Sequence, residues 1–281
     1  MALPTVMVIG PMKSGTTWLH SYLQEREDIC LPGGVKETFY FDRNFDRGLD
    51  WYQKHFAKYN SGKHRTVVEI GPSYFHCDAA PARIRNQLGE VRLVVLVRDP
   101  IRRAWSHYCH LLRYGYTRRS LQQAAAEFPA IVGASCYSAR LATWSQHFPK
   151  AAIRICSFEK LRLDQADFCR DVCDAMGIPV VDAAPTQERE TYSGAASASP
   201  ALARVSRSVT HALRRYRMHA LVNALRELGL KRVVYGNPSK SQPPQLTGGD
   251  SAWLKQKLSP DMMKFRDMVD PSDHPWLQEY G

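Results

Sequence analysis

Lys13 is the side chain of this sequence best placed to do chemistry. It lies in Val6-Met7-Val8-Ile9-Gly10-Pro11-Met12-Lys13-Ser14-Gly15-Thr16-Thr17-Trp18-Leu19. The apolar run predicts a buried strand over 6–9, the glycines a turn, and Thr16-Thr17 the opening of a helix over 16–24. Such a turn aims backbone N–H groups and the positive end of a helix dipole at an anion, usually a phosphate. Gly10 and Gly15 keep the glycine spacing of a Walker A loop, but the lysine comes two residues before the second glycine, and Thr16 stands where that lysine belongs. The loop suits a 5′-phosphate and departs from the usual cradle for a β,γ-phosphate with Mg²⁺.

Two further groupings could complete such a site. Arg98 follows the clearest strand, 91–97, at the carboxyl end where open α/β sheets bind ligands. Ser106 comes eight residues later, about two turns into a helix starting near Ile101. Arginine offers the forked donors that a phosphate dianion accepts well. The second grouping is Lys36-Glu37-Thr38-Phe39-Tyr40-Phe41-Asp42, in which Glu37 is a candidate general base. His20, His76, His107 and His110 are the alternatives.

These segments carry a family resemblance. Lys13-Ser14-Gly15-Thr16-Thr17-Trp18-Leu19 resembles the 5′-phosphosulfate loop of sulfotransferases that use 3′-phosphoadenosine 5′-phosphosulfate (PAPS). Val95-Leu96-Val97-Arg98-Asp99-Pro100-Ile101-Arg102-Arg103-Ala104-Trp105-Ser106-His107-Tyr108 resembles their 3′-phosphate motif. The Glu37 segment resembles the K-E-x-x-[FY]-F-[DS] of Golgi heparan sulfate sulfotransferases and bacterial relatives, in which the Glu takes the acceptor proton. Gly48-Leu49-Asp50-Trp51-Tyr52 matches the G-L-x-W-Y that follows it there. Val68-Glu69-Ile70-Gly71-Pro72-Ser73-Tyr74-Phe75 is similar to E-K-[ST]-P-x-Y-F, with Ile70 and Gly71 replacing the Lys and the Ser/Thr. Asn237-Pro238-Ser239-Lys240-Ser241 resembles the late S-K-G-R loop, with Lys240 retained from its basic pair.

The resemblance implies a PAPS-dependent sulfotransferase that releases adenosine 3′,5′-bisphosphate (PAP) and needs no metal. Lys13 would stabilise the leaving phosphate and Glu37 would act as base. Lys13, Ser14, Gly15, Thr16, Thr17, Trp18, Arg98, Ser106 and Lys240 would hold the nucleotide. Phe39, Tyr40, Glu69, Tyr74 and His76 would face the acceptor, a hydroxyl or an amine of a carbohydrate or small metabolite. A P-loop kinase of small molecules would instead place a Lys after the second glycine and an Asp at the end of a strand. A non-enzymatic polyanion-binding module would need neither Lys13 nor Glu37 beyond their charge.

The elements that must position these residues read as an α/β fold: a P-loop-like, doubly wound parallel sheet flanked by helices. Strands are expected over 6–9, 66–70, 91–97 and 153–156, with helices over 50–56, 80–87, from 101, and over 138–147 and 168–176. After Asp250 a helix-like run ends at Pro271, and Trp276 is expected to pack near the end. Residues 1–281 read as one domain with a helical and loop elaboration in the C-terminal third, about 190–250, on the acceptor side. The 281 residues are 44% hydrophobic, enough for one large core. The net charge of +11 fits an anionic nucleotide and acceptor, and no nucleic-acid-binding signature accompanies it. The densest basic stretch, 204–232, reads as a solvated helix face. No apolar run approaches the roughly 20 residues of a membrane span, and no basic stretch introduces a signal peptide. Seven cysteines without C-x-x-C pairs point away from zinc and disulfides and toward a reduced cytoplasm.

Overall fold

Period-two burial builds the sheet. In the computed structural model, which describes residues 2–181 and 244–280, every position of β1 (Val6–Gly10) is buried. Met7 and Ile9 join Leu93, Val95 and Val97 in one core, while Val6 and Val8 join Val94 and Leu96 in a second core on the opposite face. Strands buried on both faces carry continuous branched apolar runs, as β1, β3 (Thr66–Ile70) and β4 (Arg92–Val97) do. The order is β2-β3-β1-β4-β5, with β2 at Ile29–Cys30 and β5 at Ile153–Ser157. Every pairing is parallel. The chain leaves β1 toward one edge and crosses after β3 to the other, so the carboxyl end of β1 opens into the crevice where such sheets bind ligands.

Helices cover both faces. One core takes residues of α4 (Ala80–Leu88), α5 (Pro100–Arg113), α8 (Tyr137–Ser145) and the Gly248–Arg266 helix. The other takes α1 (Thr16–Gln24) and α10 (Gln165–Met176). Between them in sequence are α2 (Tyr40–Arg43), α3 (Gly48–Gln53), α6 (Leu121–Glu127), α7 (Ala130–Gly133) and α9 (Phe158–Leu163). Asp99 opens α5: its Oδ1 accepts from the N–H groups of Ile101 (2.9 Å) and Arg102 (3.0 Å), with Pro100 in the first turn. Asp261 of the C-terminal helix performs the same service for α8, accepting from the Ser138 and Ala139 N–H groups at 2.9 Å. Trp276 is packed, as expected, and stacks on Phe265 with centroids 6.0 Å apart.

Several elements depart from the sequence expectation. β2 is only two residues long and carries too little pattern to declare itself. α6 and α7 are short and were not expected, although Ser120 and Gln123 form a capping box ahead of the apolar positions of α6. The run expected from Asp250 to Pro271 is a helix from Gly248 to Arg266, ending short of that proline. Lys240, the basic stretch 204–232 and nearly all of the expected 190–250 elaboration lie outside the described residues.

Gly10 ends β1 at φ +117°, and a Cβ there would stand 2.5 Å from the Pro72 carbonyl oxygen. Both the dihedral and the contact exclude a side chain. Gly10→Ala is expected to cost about 2 kcal/mol or more, lowering the thermal midpoint by about 4–8 °C. A midpoint within 1 °C of wild type, on the order of measurement scatter, would contradict this fit.

Candidate active site

The turn between β1 and α1 is held from behind by two arginines. Arg98, at the carboxyl end of β4, donates through Nη1 to the Lys13 carbonyl at 3.1 Å. Arg103, fully buried on α5, donates through Nη1 to the Met12 carbonyl at 3.4 Å and through Nε to Ser135 Oγ at 2.5 Å, and its Nη2 reaches the Ile131 carbonyl. With its carbonyls drawn toward the guanidinium groups, the turn places Lys13 in the left-handed region, φ 76°. Gly15, φ 86°, packs against Phe158, whose Cδ2 would be 2.5 Å from a Cβ there. Arg98 also meets this ring: its guanidinium carbon lies 5.0 Å from the Phe158 ring centroid.

Helix α1 begins at Thr16 with Gly15 as N-cap and no side-chain cap. Ser14 is fully buried, and its Oγ has no hydrogen-bond partner among the described residues. An uncapped helix start beside a buried hydroxyl without a partner is the donor set expected around a phosphate.

Cations gather at this turn. Lys13 Nζ donates to His110 Nδ1 at 2.9 Å. Lys36 Nζ reaches across to Thr17 Oγ1 (3.0 Å) and Thr16 Oγ1 (3.4 Å) and pairs with Glu37 Oε1 at 3.4 Å. Burial lowers the Lys13 pKa to about 8, and the nearby charges of Lys36, Arg113 and Arg103 push it the same way, against the pull of Glu37. Burial also lowers the Lys36 pKa, opposed by Glu37. His110 falls to about 3 through burial and the charges of Lys13 and Arg113, so it accepts from Lys13 as a neutral imidazole. Arg103, Ser106 and His110 fall along one face of α5, with Arg103 and His110 both in contact with the turn.

Lys13, Ser14, Gly15, Thr16, Thr17, Glu37 and Arg98 are thus brought to one place. Ser106 is buried on the α5 face next to them. Trp18 is half-buried, stacked on Tyr22 at 5.6 Å and edge-on to Phe168 at 5.5 Å. Phe39 is half-buried beneath Arg43, whose guanidinium carbon is 4.6 Å from its ring centroid. His76 is half-buried, and burial with the charges of Arg103, Arg140 and Arg43 lowers it to about 4. His20 is also lowered to about 4, by burial and by Lys36. His107 is buried against the Ala130 carbonyl and is lowered by burial and by Arg103.

Three expected acceptor contacts require correction. Tyr40, Glu69 and Tyr74 have no exposed surface. Tyr40 stacks on Tyr52 at 4.4 Å inside the aromatic core, and Glu69 and Tyr74 form a polar knot beneath the Glu37 segment. A side chain without accessible surface offers an acceptor no contact. In the other direction, Lys36, Arg103 and Phe158 reach the turn although none was expected in a functional role, and His110, expected only as an alternative base, contacts Lys13 instead. Arg103 and His110 had a signal: each lies on the Ser106 face of α5 at helical spacing.

Comparison with known proteins agrees with this geometry. Residues 3–214 match the sulfotransferase domain family. Heparan sulfate glucosamine 3-O-sulfotransferase 3B1 of Mus musculus is 29% identical over 263 residues, covering 89% of this chain and 65% of that protein. Bifunctional heparan sulfate N-deacetylase/N-sulfotransferase 1 of Xenopus laevis is 26% identical over 194 residues, covering 62% of this chain and 22% of that protein. The chain therefore spans just under two thirds of the first relative and about a fifth of the second. A sulfotransferase crystal structure from Alicyclobacillus acidocaldarius has a TM-score of 0.57 at 22% identity, covering 79% of this chain and 97% of that one, a likeness of fold.

The Lys13 environment predicts its titration. Competitive labelling with an amine reagent, read by peptide mass spectrometry, is expected to give Lys13 a midpoint near pH 8 in the ligand-free protein. A midpoint at the ordinary lysine value of about 10.4 would show that the ammonium stands in solvent instead.

Proposed function

Because this chain belongs to the sulfotransferase family, we propose that it moves the sulfuryl group of PAPS to a hydroxyl, or an amine, of a carbohydrate or small-metabolite acceptor, with Glu37 as base and Lys13 at the leaving phosphate. The observation that carries this reading is the charge imbalance at the turn. Among the described residues, the charges that act most strongly on Lys13 are three cations, Lys36, Arg113 and Arg103, and the carboxylate of Glu37. Buried cations in excess call for an anion, and a nucleotide phosphate at the start of α1 would supply it.

PAPS, when bound, supplies a sulfuryl group already activated on its 5′-phosphate. The chain's residues then have separate tasks. Lys13 Nζ, with the first-turn N–H groups and the Ser14 hydroxyl, would hold and neutralise that phosphate. Lys36 bridges the two halves of the site, touching Thr16 and Thr17 on one side and Glu37 on the other. Arg98 and Ser106 would take the 3′-phosphate, Arg98 being stiffened by the Phe158 ring.

Glu37 is favoured as base over the histidines on physical grounds. Protonating an imidazole creates a charge in a desolvated site, whereas protonating a carboxylate removes one. Burial already lowers His20, His76, His107 and His110, which makes each a weak base. A glucosamine-type hydroxyl is the acceptor suggested by the relatives' names. Ile70, fully buried, stands where the heparan-type motif has Lys, and this favours an acceptor less anionic than heparan sulfate. The compartment proposed is the cytoplasm, a reading supported by seven cysteines that all stand as free thiols.

Transfer is to be measured by mass spectrometry, with PAPS and a panel of sugar and small-molecule hydroxyls, as an added sulfo group. Lys13→Ala is expected to reduce turnover at least about 10³-fold. Glu37→Gln is expected to reduce kcat about 10²–10⁴-fold with the affinity for PAP unchanged. Turnover close to wild type in Lys13→Ala would remove the lysine from the mechanism, and an unchanged kcat in Glu37→Gln would remove the carboxylate.

A further inference from the structure

Glu69 is a fully buried carboxyl at the end of β3 that has no part in the chemistry above. Hydroxyls from three separate parts of the chain converge on it. Thr38 Oγ1 donates to Oε1, Tyr74 OH donates to Oε1 at 2.9 Å, and Tyr52 OH donates to Oε2 at 2.5 Å. Burial raises the Glu69 pKa, and the three hydroxyls oppose that rise. An apolar residue would fill this place at less desolvation cost, so a satisfied polar knot here specifies one arrangement of the segments it ties together.

One of those segments is the turn that carries Glu37. Thr38 is tied on both sides of its backbone: its Oγ1 accepts from the Tyr40 N–H at 3.1 Å and contacts Tyr74 OH at 3.1 Å, and its carbonyl accepts from Asn44 Nδ2 at 3.0 Å. Phe39 follows at φ 52°, a conformation that costs a non-glycine residue free energy and persists only where the surroundings impose it. Its carbonyl accepts from the N–H groups of Arg43 (3.0 Å) and Asn44 (2.9 Å), which closes the turn over the knot. Among the described residues, Lys13 and Phe39 are the non-glycine residues with positive φ, and both adjoin the candidate site.

We infer that Glu69 is a positioning residue: acting through the Thr38 hydroxyl, its buried carboxyl fixes the main chain at Glu37 to the rigid end of β3 and so aims the proposed base. The inference rests on the reading of Glu37 as base. It accounts for a carboxyl kept out of reach of any acceptor, and for a threonine directly after the glutamate.

Thr38→Val removes the hydroxyl and keeps the shape, and Thr38→Ser keeps the hydroxyl. Hydrogen–deuterium exchange in the presence of PAP is expected to be at least about tenfold faster at residues 38–44 in Thr38→Val, with β1 and β4 unchanged and Thr38→Ser like wild type. In turnover of PAPS with a glucosamine oligosaccharide, Thr38→Val is expected to lose about tenfold or more in kcat at unchanged KM for PAPS, and Thr38→Ser to recover it. Glu69→Gln turns one acceptor oxygen into a donor and is expected to move both readouts in the same direction. Should Thr38→Val not fold, Thr38→Ala removes the same hydroxyl with less crowding and carries the same expectation. Added to Glu37→Gln, Thr38→Val is expected to lower kcat no further. Wild-type exchange at residues 38–44 in Thr38→Val, or a Glu69→Gln protein identical to wild type in exchange and kcat, overturns the inference while the reading of Glu37 stands. A wild-type kcat in Glu37→Gln overturns both.

Discussion

Buried positive charge at the turn between β1 and α1 is the constraint around which the rest is arranged. Lys13, Lys36 and Arg103 are each desolvated far enough for burial to lower their pKa values. Such a group is costly unless something compensates it. Part of the compensation is internal. The carbonyls of Met12 and Lys13 accept from Arg103 and Arg98, His110 offers Lys13 a neutral acceptor, and Glu37 pairs with Lys36. What is left over is net positive, and it sits at the positive end of a helix that no side chain caps. The family assignment and the electrostatics therefore both support the proposed ligand, a phosphate-bearing nucleotide.

The fold supplies the rigidity this arrangement needs. β1 is the central strand, buried on both faces, and the turn leaves it at a glycine that the neighbouring Pro72 carbonyl permits to be nothing larger. α5 lies alongside and contributes Arg103 and His110 from one face. β5 runs into α9 through Phe158, which packs against both Gly15 and Arg98, while Glu159 Oε1 accepts from the Asp99 N–H at 2.9 Å and Glu159 Oε2 accepts from Trp276 Nε1 at 3.2 Å. The C-terminal segment is thus linked by two hydrogen bonds to the residue after Arg98. Lys160 reinforces the join, pairing with Asp171 at 2.6 Å and Asp273 at 2.8 Å.

Much of this was legible in the sequence because local pattern and global position agree. α1 occupies the expected 16–24, and β3 and β4 lie where their branched apolar runs placed them. The turn after β1 and Arg98 at the end of β4 were legible for the same reason, since glycine spacing and a strand-ending arginine are local signals, and the structure brings the two together. What escaped was long-range. The Lys13–His110 contact joins residues 97 apart, and Thr38–Glu69 joins residues 31 apart. Neither pairing leaves a spacing signal in one sequence. Glu69, Tyr40 and Tyr74 were misjudged because polar and aromatic types suggested a surface for an acceptor, while the fold spends them on stacking and on a closed hydrogen-bond knot. Lys36 stood in the Glu37 segment without a role of its own, and only the packed structure carries it across to Thr16 and Thr17.

Isothermal titration of the purified chain with adenosine 3′,5′-bisphosphate and, separately, with AMP tests the central claim most directly. Arg98 standing beside the Lys13 turn predicts that the second phosphate tightens binding by about tenfold or more, about 1.4 kcal/mol, and that Arg98→Ala erases most of that difference. Equal affinity for the two nucleotides, or no binding of either, would contradict the account.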